Sequence, residues 1–226
     1  MRIVGVTNRL LCGGENGFLA QVKKIAVSGI DAFVLREKDL SLGRYEDLAR
    51  KVLDICRPGN VELILHTQVE AAIDLNAKSI QLPWAVFKTG AFISADLARL
   101  RDRGIAFGVS VHSAEEAAEA ERSGAAWLIA GHVFVTDCKK GLEPRGLEFI
   151  GSVCRAVKIP VYAIGGISEY TIAGVEKCGT EGVCIMSSLM ESPDPPALIA
   201  GLRSRLGAAC FPNPCAGQGS GLKEGA

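Results

Sequence analysis

The sequence has no excess of charge of either sign: 25 lysines and arginines balance 25 acidic residues. No overall field therefore draws the chain to nucleic acid or to an anionic membrane, and any binding must be local. No apolar run is long enough to span a bilayer. Nothing at the N-terminus has the pattern of a signal peptide, since Met1 and Arg2 run straight into the strand-like Ile3 to Thr7. A cytoplasmic protein without a membrane partner is expected. CxxC pairs are also missing: Cys12, Cys56, Cys138, Cys154, Cys178 and Cys184 are scattered through an apolar chain, which suits reduced thiols better than a disulfide framework. Cys210 and Cys215 lie in a stretch rich in Pro, Gly and Ser, with no histidine or second pair to complete a metal site. Histidine itself is scarce, at 3 in 226 residues.

Apolar residues make up 48% of the chain, enough for one complete core. The pattern divides the chain into one domain over 1–207 and a flexible tail over 208–226. Eight short apolar runs read as strands: Ile3 to Thr7, Ala32 to Arg36, Glu62 to His66, Ser79 to Leu82, Ala106 to Val111, Trp127 to His132, Val161 to Ile164 and Gly182 to Met186. Helical periodicity fills the gaps, as in Leu42 to Cys56, Ala95 to Arg103, Ser113 to Ser123 and Glu169 to Cys178. Ser113 followed by Glu116 is a capping-box start, and Pro195 with Pro196 suits the first turn of a last helix. Strands alternating with helices call for a parallel sheet, and eight repeats close an α/β fold of the single (β/α)8 TIM-barrel type; an open doubly wound sheet is the alternative.

Barrels place their chemistry at the carboxyl ends of the strands. His66, His112 and His132 all fall at such ends. Three imidazoles suit zinc, but there is no His-x-His pair and the strands involved are not all neighbours, so no metal is expected. His66 and His112 could equally cap strand ends through hydrogen bonds. His132 has an anion site as its neighbour. Gly165 and Gly166 follow the seventh strand, Met186, Ser187 and Ser188 follow the eighth, and the loops after these two strands are the usual barrel phosphate site. Lys139 or Lys140 supplies a point charge beside them, and Arg36 and Lys38 bring further cations to the end of the second strand. For each lysine a solvated loop charge is the competing reading.

The segment Gly131 to Gly141, Gly-His-Val-Phe-Val-Thr-Asp-Cys-Lys-Lys-Gly, closely resembles the TenI thiazole tautomerases, relatives of the thiamine phosphate synthases. Resemblance to the two groups runs from Ile3 to about Leu206. The synthases carry Gln-x-Arg-x-Lys at the second strand, an Asn-Asp pair after the third and a Gly-Gln-x-Asp stretch after the fourth, whose aspartates hold magnesium. This chain keeps Arg36 and Lys38 but has Val34 for the glutamine, His66 and Thr67 for Asn-Asp, and Val86 for the second aspartate. Gln81-Leu82-Pro83 and Ser110-Val111-His112-Ser113 are also similar to TenI proteins.

The resemblance implies an isomerase of thiamine biosynthesis that needs no cofactor and aromatises a carboxylated thiazole phosphate. His132 would be its proton carrier, since an imidazole can take and return a proton near neutral pH. Arg36, Lys38, His66, Ser110, Thr136 and Lys139 would contact substrate, and Gly165, Gly166, Met186, Ser187 and Ser188 its phosphate. The expected partner is this small molecule, with no nucleic acid, and a homo-oligomer is left open. Magnesium-dependent coupling of a pyrimidine pyrophosphate to the thiazole phosphate is the alternative activity, and a ligand-sensing regulator the alternative outside catalysis.

Overall fold

A computed structural model describes residues 1–88, 90–136, 139 and 141–206, with backbone alone for 90–94. Eight parallel strands follow one another round a closed barrel: β1 Arg2–Val6, β2 Ala32–Leu35, β3 Glu62–His66, β4 Ser79–Pro83, β5 Ala106–Val111, β6 Trp127–Gly131, β7 Val161–Ile164 and β8 Gly182–Ile185. Pairing of β1 with both β2 and β8 leaves no edge. The expected (β/α)8 barrel is what forms, and the doubly wound alternative is excluded.

Strand residues are apolar on both faces because both faces are buried. Val4, Val6, Val34, Ile64, Ile129 and Cys184 turn into the barrel and form one cluster. Their chain neighbours Ile3, Phe33, Leu35, Leu65, Leu128 and Val183 turn outward into a larger cluster beneath the helices. Helix α1, Glu15–Ala26, contributes Phe18, Val22 and Ile25 to that layer at spacings of four and three. Helix α2, Leu42–Cys56, contributes Tyr45, Leu48, Val52 and Cys56. Each such burial is worth about 1.5–3 kcal/mol. Truncating Ile25 to alanine would cost about 2–5 kcal/mol.

Among the described residues, helices α3 Val69–Asp74, α4 Trp84–Lys88, α5 Gly90–Asp102, α6 Ala114–Arg122, α7 Gly146–Ala156, α8 Ile172–Glu176, α9 Ser187–Met190 and α10 Pro195–Ser204 complete the outer ring. Ser113 caps α6 by accepting the Glu116 N–H at 3.2 Å. The Glu116 carboxylate returns not to Ser113 but one residue further, to the His112 N–H at 2.6 Å. Asp194 caps α10, with Pro195 and Pro196 in its first turn.

Several element ends differ from expectation. Thr7, Arg36, His132 and Met186 stand one residue beyond their strands. At β2 the reason is visible: the Arg36 N–H donates to the Thr7 hydroxyl at 2.9 Å instead of to a strand carbonyl. Helix α8 begins three residues later than Glu169, because Ser168 and Thr171 first make a turn in which the Thr171 hydroxyl accepts the Ser168 N–H at 2.8 Å. No helix among the described residues is long and apolar enough to cross a membrane. The segment over 208–226, with Cys210 and Cys215, lies outside the described residues, as do Cys138 and Lys140.

Candidate active site

The mouth of the barrel at the ends of β2 and β3 gathers positive charge. Arg36 follows β2 and Lys38 stands two residues on. Partial burial, then the charges of Arg36 and Lys139, hold the Lys38 ammonium below the usual lysine range. Three cations from two loops therefore share one region. His66, the last residue of β3, is buried beside them. Desolvation first, then Arg36 and Lys38, push its imidazole down to about 3, so it is neutral at physiological pH. Its Nδ1 lies 2.8 Å from the Thr67 hydroxyl, and its backbone N–H donates to the Tyr45 hydroxyl at 2.9 Å. Tyr45 in turn donates to the Leu35 carbonyl at 2.7 Å, so one buried phenol joins the ends of β2 and β3.

Glu37 is the residue that sequence reasoning missed. Standing between Arg36 and Lys38, it reads as part of a charged loop, yet it is 3% exposed. The Thr7 hydroxyl donates to it at 2.7 Å, and the Arg9 backbone N–H reaches both its oxygens at 3.1 Å. The Arg9 guanidinium bridges Glu37 at 3.3 Å and Asp39 at 2.6 Å. This network fixes the loop after β2 to the loop after β1. Alternation of side chains along an extended segment was the only available signal.

On the opposite side, the loop after β7 packs on the loop after β6. A Cβ on Gly165 would lie 2.5 Å from the His132 Cβ, and one on Gly166 would lie 2.6 Å from the Phe134 Cβ. Both glycines have positive φ, 104° and 65°. Their lack of a side chain is thus required by packing and by backbone shape, whatever they bind. The His132 side chain is partly exposed, with Nε2 3.4 Å from the Leu142 carbonyl. Thr136 and Lys139 continue this loop, the Lys139 N–H donating to the Thr136 carbonyl at 3.0 Å. Met186 follows β8 and packs on the cluster inside the barrel, while Ser187 and Ser188 open the short helix α9. Ser110, from β5, accepts from Gln81 at 3.0 Å, and Gln81 accepts from the Trp127 indole at 2.8 Å.

The three histidines do not converge. His112 is exposed, and its Nδ1 lies 3.3 Å from the Glu116 carboxylate at the start of α6. Among the described residues no three His, Cys, Asp or Glu side chains are placed to hold a metal. Magnesium in particular does not fit. Thr67 and Val86 offer no carboxylate, and the Glu37 carboxylate is committed to Thr7 and Arg9.

Comparison with known proteins adds the family context. The TMP-TENI model, described as thiamine monophosphate synthase, matches residues 3–189. The thiamine-phosphate synthase of Desulfitobacterium hafniense (strain Y51) is 32% identical over 203 residues, 87% of this chain and 93% of its own. That of Pyrococcus horikoshii is 30% identical over 82% of this chain and 86% of its own. Among solved structures, thiamine phosphate pyrophosphorylase from Pyrococcus furiosus superposes with a TM-score of 0.76 at 28% identity, covering 90% of this chain and 94% of its own. These relatives overturn the expected isomerase. The likeness to synthases extends over the whole barrel, whereas the tautomerase reading rested mainly on one loop, residues 131–141, and on two missing carboxylates.

Proposed function

Because the chain belongs to the thiamine monophosphate synthase family, matched over residues 3–189, we propose that it is a transferase that couples a pyrimidine pyrophosphate to a thiazole phosphate. The carrying observation is the gathering of Arg36 and Lys38 beside the buried, neutral His66, with the charge of Lys139 also reaching Lys38. A cluster of cations at a barrel mouth suits a polyanion, and the leaving pyrophosphate is the most highly charged group in this reaction.

In the coupling step the thiazole ring nitrogen attacks the methylene carbon that bears the pyrophosphate. The new C–N bond forms, the C–O bond breaks, and pyrophosphate leaves with the electron pair. No proton is moved, so a base is not required and His132 loses the role first expected of it. The Arg36 fork and the two lysines act where negative charge accumulates on the departing oxygen. The thiazole phosphate is assigned to the loops of Gly165, Gly166, Ser187 and Ser188, the usual barrel phosphate position. His132, which packs on Gly165, is assigned a contact with that phosphate, and Ser110, Thr136 and Met186 the ring between the two anion sites. Magnesium chemistry is routed through none of these residues, because none of them fits the ion.

The reading is tested by incubating purified protein, expected to act in the cytoplasm, with both substrates and following thiamine phosphate and pyrophosphate together. Equal amounts of the two products are expected. Tight binding of both substrates without product would instead favour a ligand-sensing protein, which the missing carboxylates also suit.

A further inference from the structure

A cavity opens at the amino-terminal end of the barrel, opposite the proposed active site. Barrels of this type fill their interior with layers of branched side chains. Here a cavity of about 200 Å³ lies among Val34, Ile64, Ile129 and Cys184, with the rings of Trp127 and Tyr162 at its sides. Arg2 and Glu62, near the amino-terminal ends of their strands, stand at its rim and pair at 2.9 Å.

Its origin lies in where the two large rings go. The Trp127 indole lies over Gly108, where a Cβ would collide with the ring. The Tyr162 ring lies over Gly182, where a Cβ would come within 2.7 Å of it. Both rings therefore rest along the wall rather than across the axis. The indole is held there by its N–H bond to Gln81 at 2.8 Å. The Arg2 guanidinium donates to the Tyr162 hydroxyl at 3.4 Å, and the hydroxyl proton is left to serve another acceptor. Val34 adds to the space, being shorter than the glutamine of the related synthases.

We propose that this lower chamber is a second binding site, for a neutral, planar, single-ring molecule whose one polar substituent meets the Tyr162 hydroxyl. Apolar walls exclude charged ligands, since an unpaired charge would be desolvated there. Size sets the upper limit: a cavity of ~150 Å³ with aliphatic and aromatic walls takes up benzene. The chamber is separate from the cationic mouth and does not depend on the transferase reading.

The test uses benzyl alcohol as probe and benzoate as its charged counterpart. In a Trp84→Phe protein, Trp127 is the remaining one of 2 tryptophans and reports directly from the chamber wall. Benzyl alcohol is expected to change its fluorescence saturably, with Kd on the order of 1 mM or tighter for a ligand of this size. Benzoate should give no saturable change. Calorimetry on the unaltered protein, without substrates, should agree. Filling the space with Ile64→Phe should abolish binding, and the milder Ile64→Met should weaken it several-fold should the larger change prevent folding. Absence of saturable binding to the unaltered protein would mean the chamber holds only water and would overturn the proposal. Equal binding of benzoate, or full binding by the folded Ile64 variants, would place the probe elsewhere and overturn it too.

Discussion

The hydroxyl of Thr7 donates to Glu37 at 2.7 Å while its oxygen accepts the Arg36 N–H at 2.9 Å, so one side chain sets the conformation of two consecutive residues at the mouth. Glu37 turns inward to this hydroxyl and to Arg9, and that leaves Arg36 and Lys38 to serve the site. Glu37 is thus a positioning residue. Glu37→Ala strands the buried Thr7 hydroxyl and the Arg9 backbone N–H. It is expected to cost about 3 kcal/mol in denaturant unfolding, the lower end for a broken buried pair because Arg9 keeps Asp39. It should also raise KM for the pyrophosphate substrate more than for the thiazole phosphate. A purely structural role would lower the amount of folded protein and leave both KM values in the remainder unchanged.

His66 gives the pH dependence of stability a definite sign. Its folded pKa, about 3, lies below an unfolded value of about 6.5. Between these values the unfolded chain binds the proton and the folded one does not, so stability is complete above about pH 6.5 and falls as pH drops towards 3. The loss approaches roughly 1.4 kcal/mol per pH unit inside that window. His66→Asn should flatten the slope of unfolding free energy against pH there. An unchanged slope would show that other groups govern acid unfolding.

Arg36→Ala and Lys38→Met test the leaving-group assignment. Each removes a charge that matters more as the C–O bond breaks, so kcat/KM should fall by about 10- to 100-fold, with part of the loss in kcat. Initial rates with each substrate varied in turn would show the effect on the pyrophosphate partner. A change confined to the KM of the thiazole phosphate would reverse the two anion assignments.

The barrel was legible because parallel strands buried on both faces leave continuous apolar runs, and Ala32 to Leu35 or Val161 to Ile164 cannot be mistaken for loop. Their final residues were not legible. Whether Arg36 continues β2 depends on a hydroxyl from β1 that only the closed sheet brings near. The gathering of cations was half legible, since Arg36 and Lys38 share a loop but Lys139 joins them across the mouth. Glu37 was hidden by its charged neighbours, and the lower chamber by its nature, being a volume shared by six strands. The activity was misread for a different reason. One distinctive loop was weighed above a likeness spread thinly over residues 3–189.

Thr67 offers the sharpest test of what the lost carboxylates did. It has φ of +67°, a conformation that a β-branched residue adopts at a cost of about 1–3 kcal/mol and that aspartate tolerates better. By the resemblance to the synthases, this is the position at which their motif carries aspartate. The backbone here thus has a shape that aspartate would suit better than threonine does. Thr67→Asp should leave the fold intact and raise the melting temperature, less the loss of the Thr67 bond to His66 at 2.8 Å. It should also move the acid transition of His66 upward, because a carboxylate beside the imidazole favours its charged form. Combined with Val86→Asp, it restores both carboxylates at the positions the related synthases use for magnesium. Calorimetric titration with magnesium alone should then show saturable binding in the double variant and none in the unaltered protein. Saturable binding by the unaltered protein would mean that ligands other than these two positions hold the ion, and that the cationic cluster does not work alone on the leaving group.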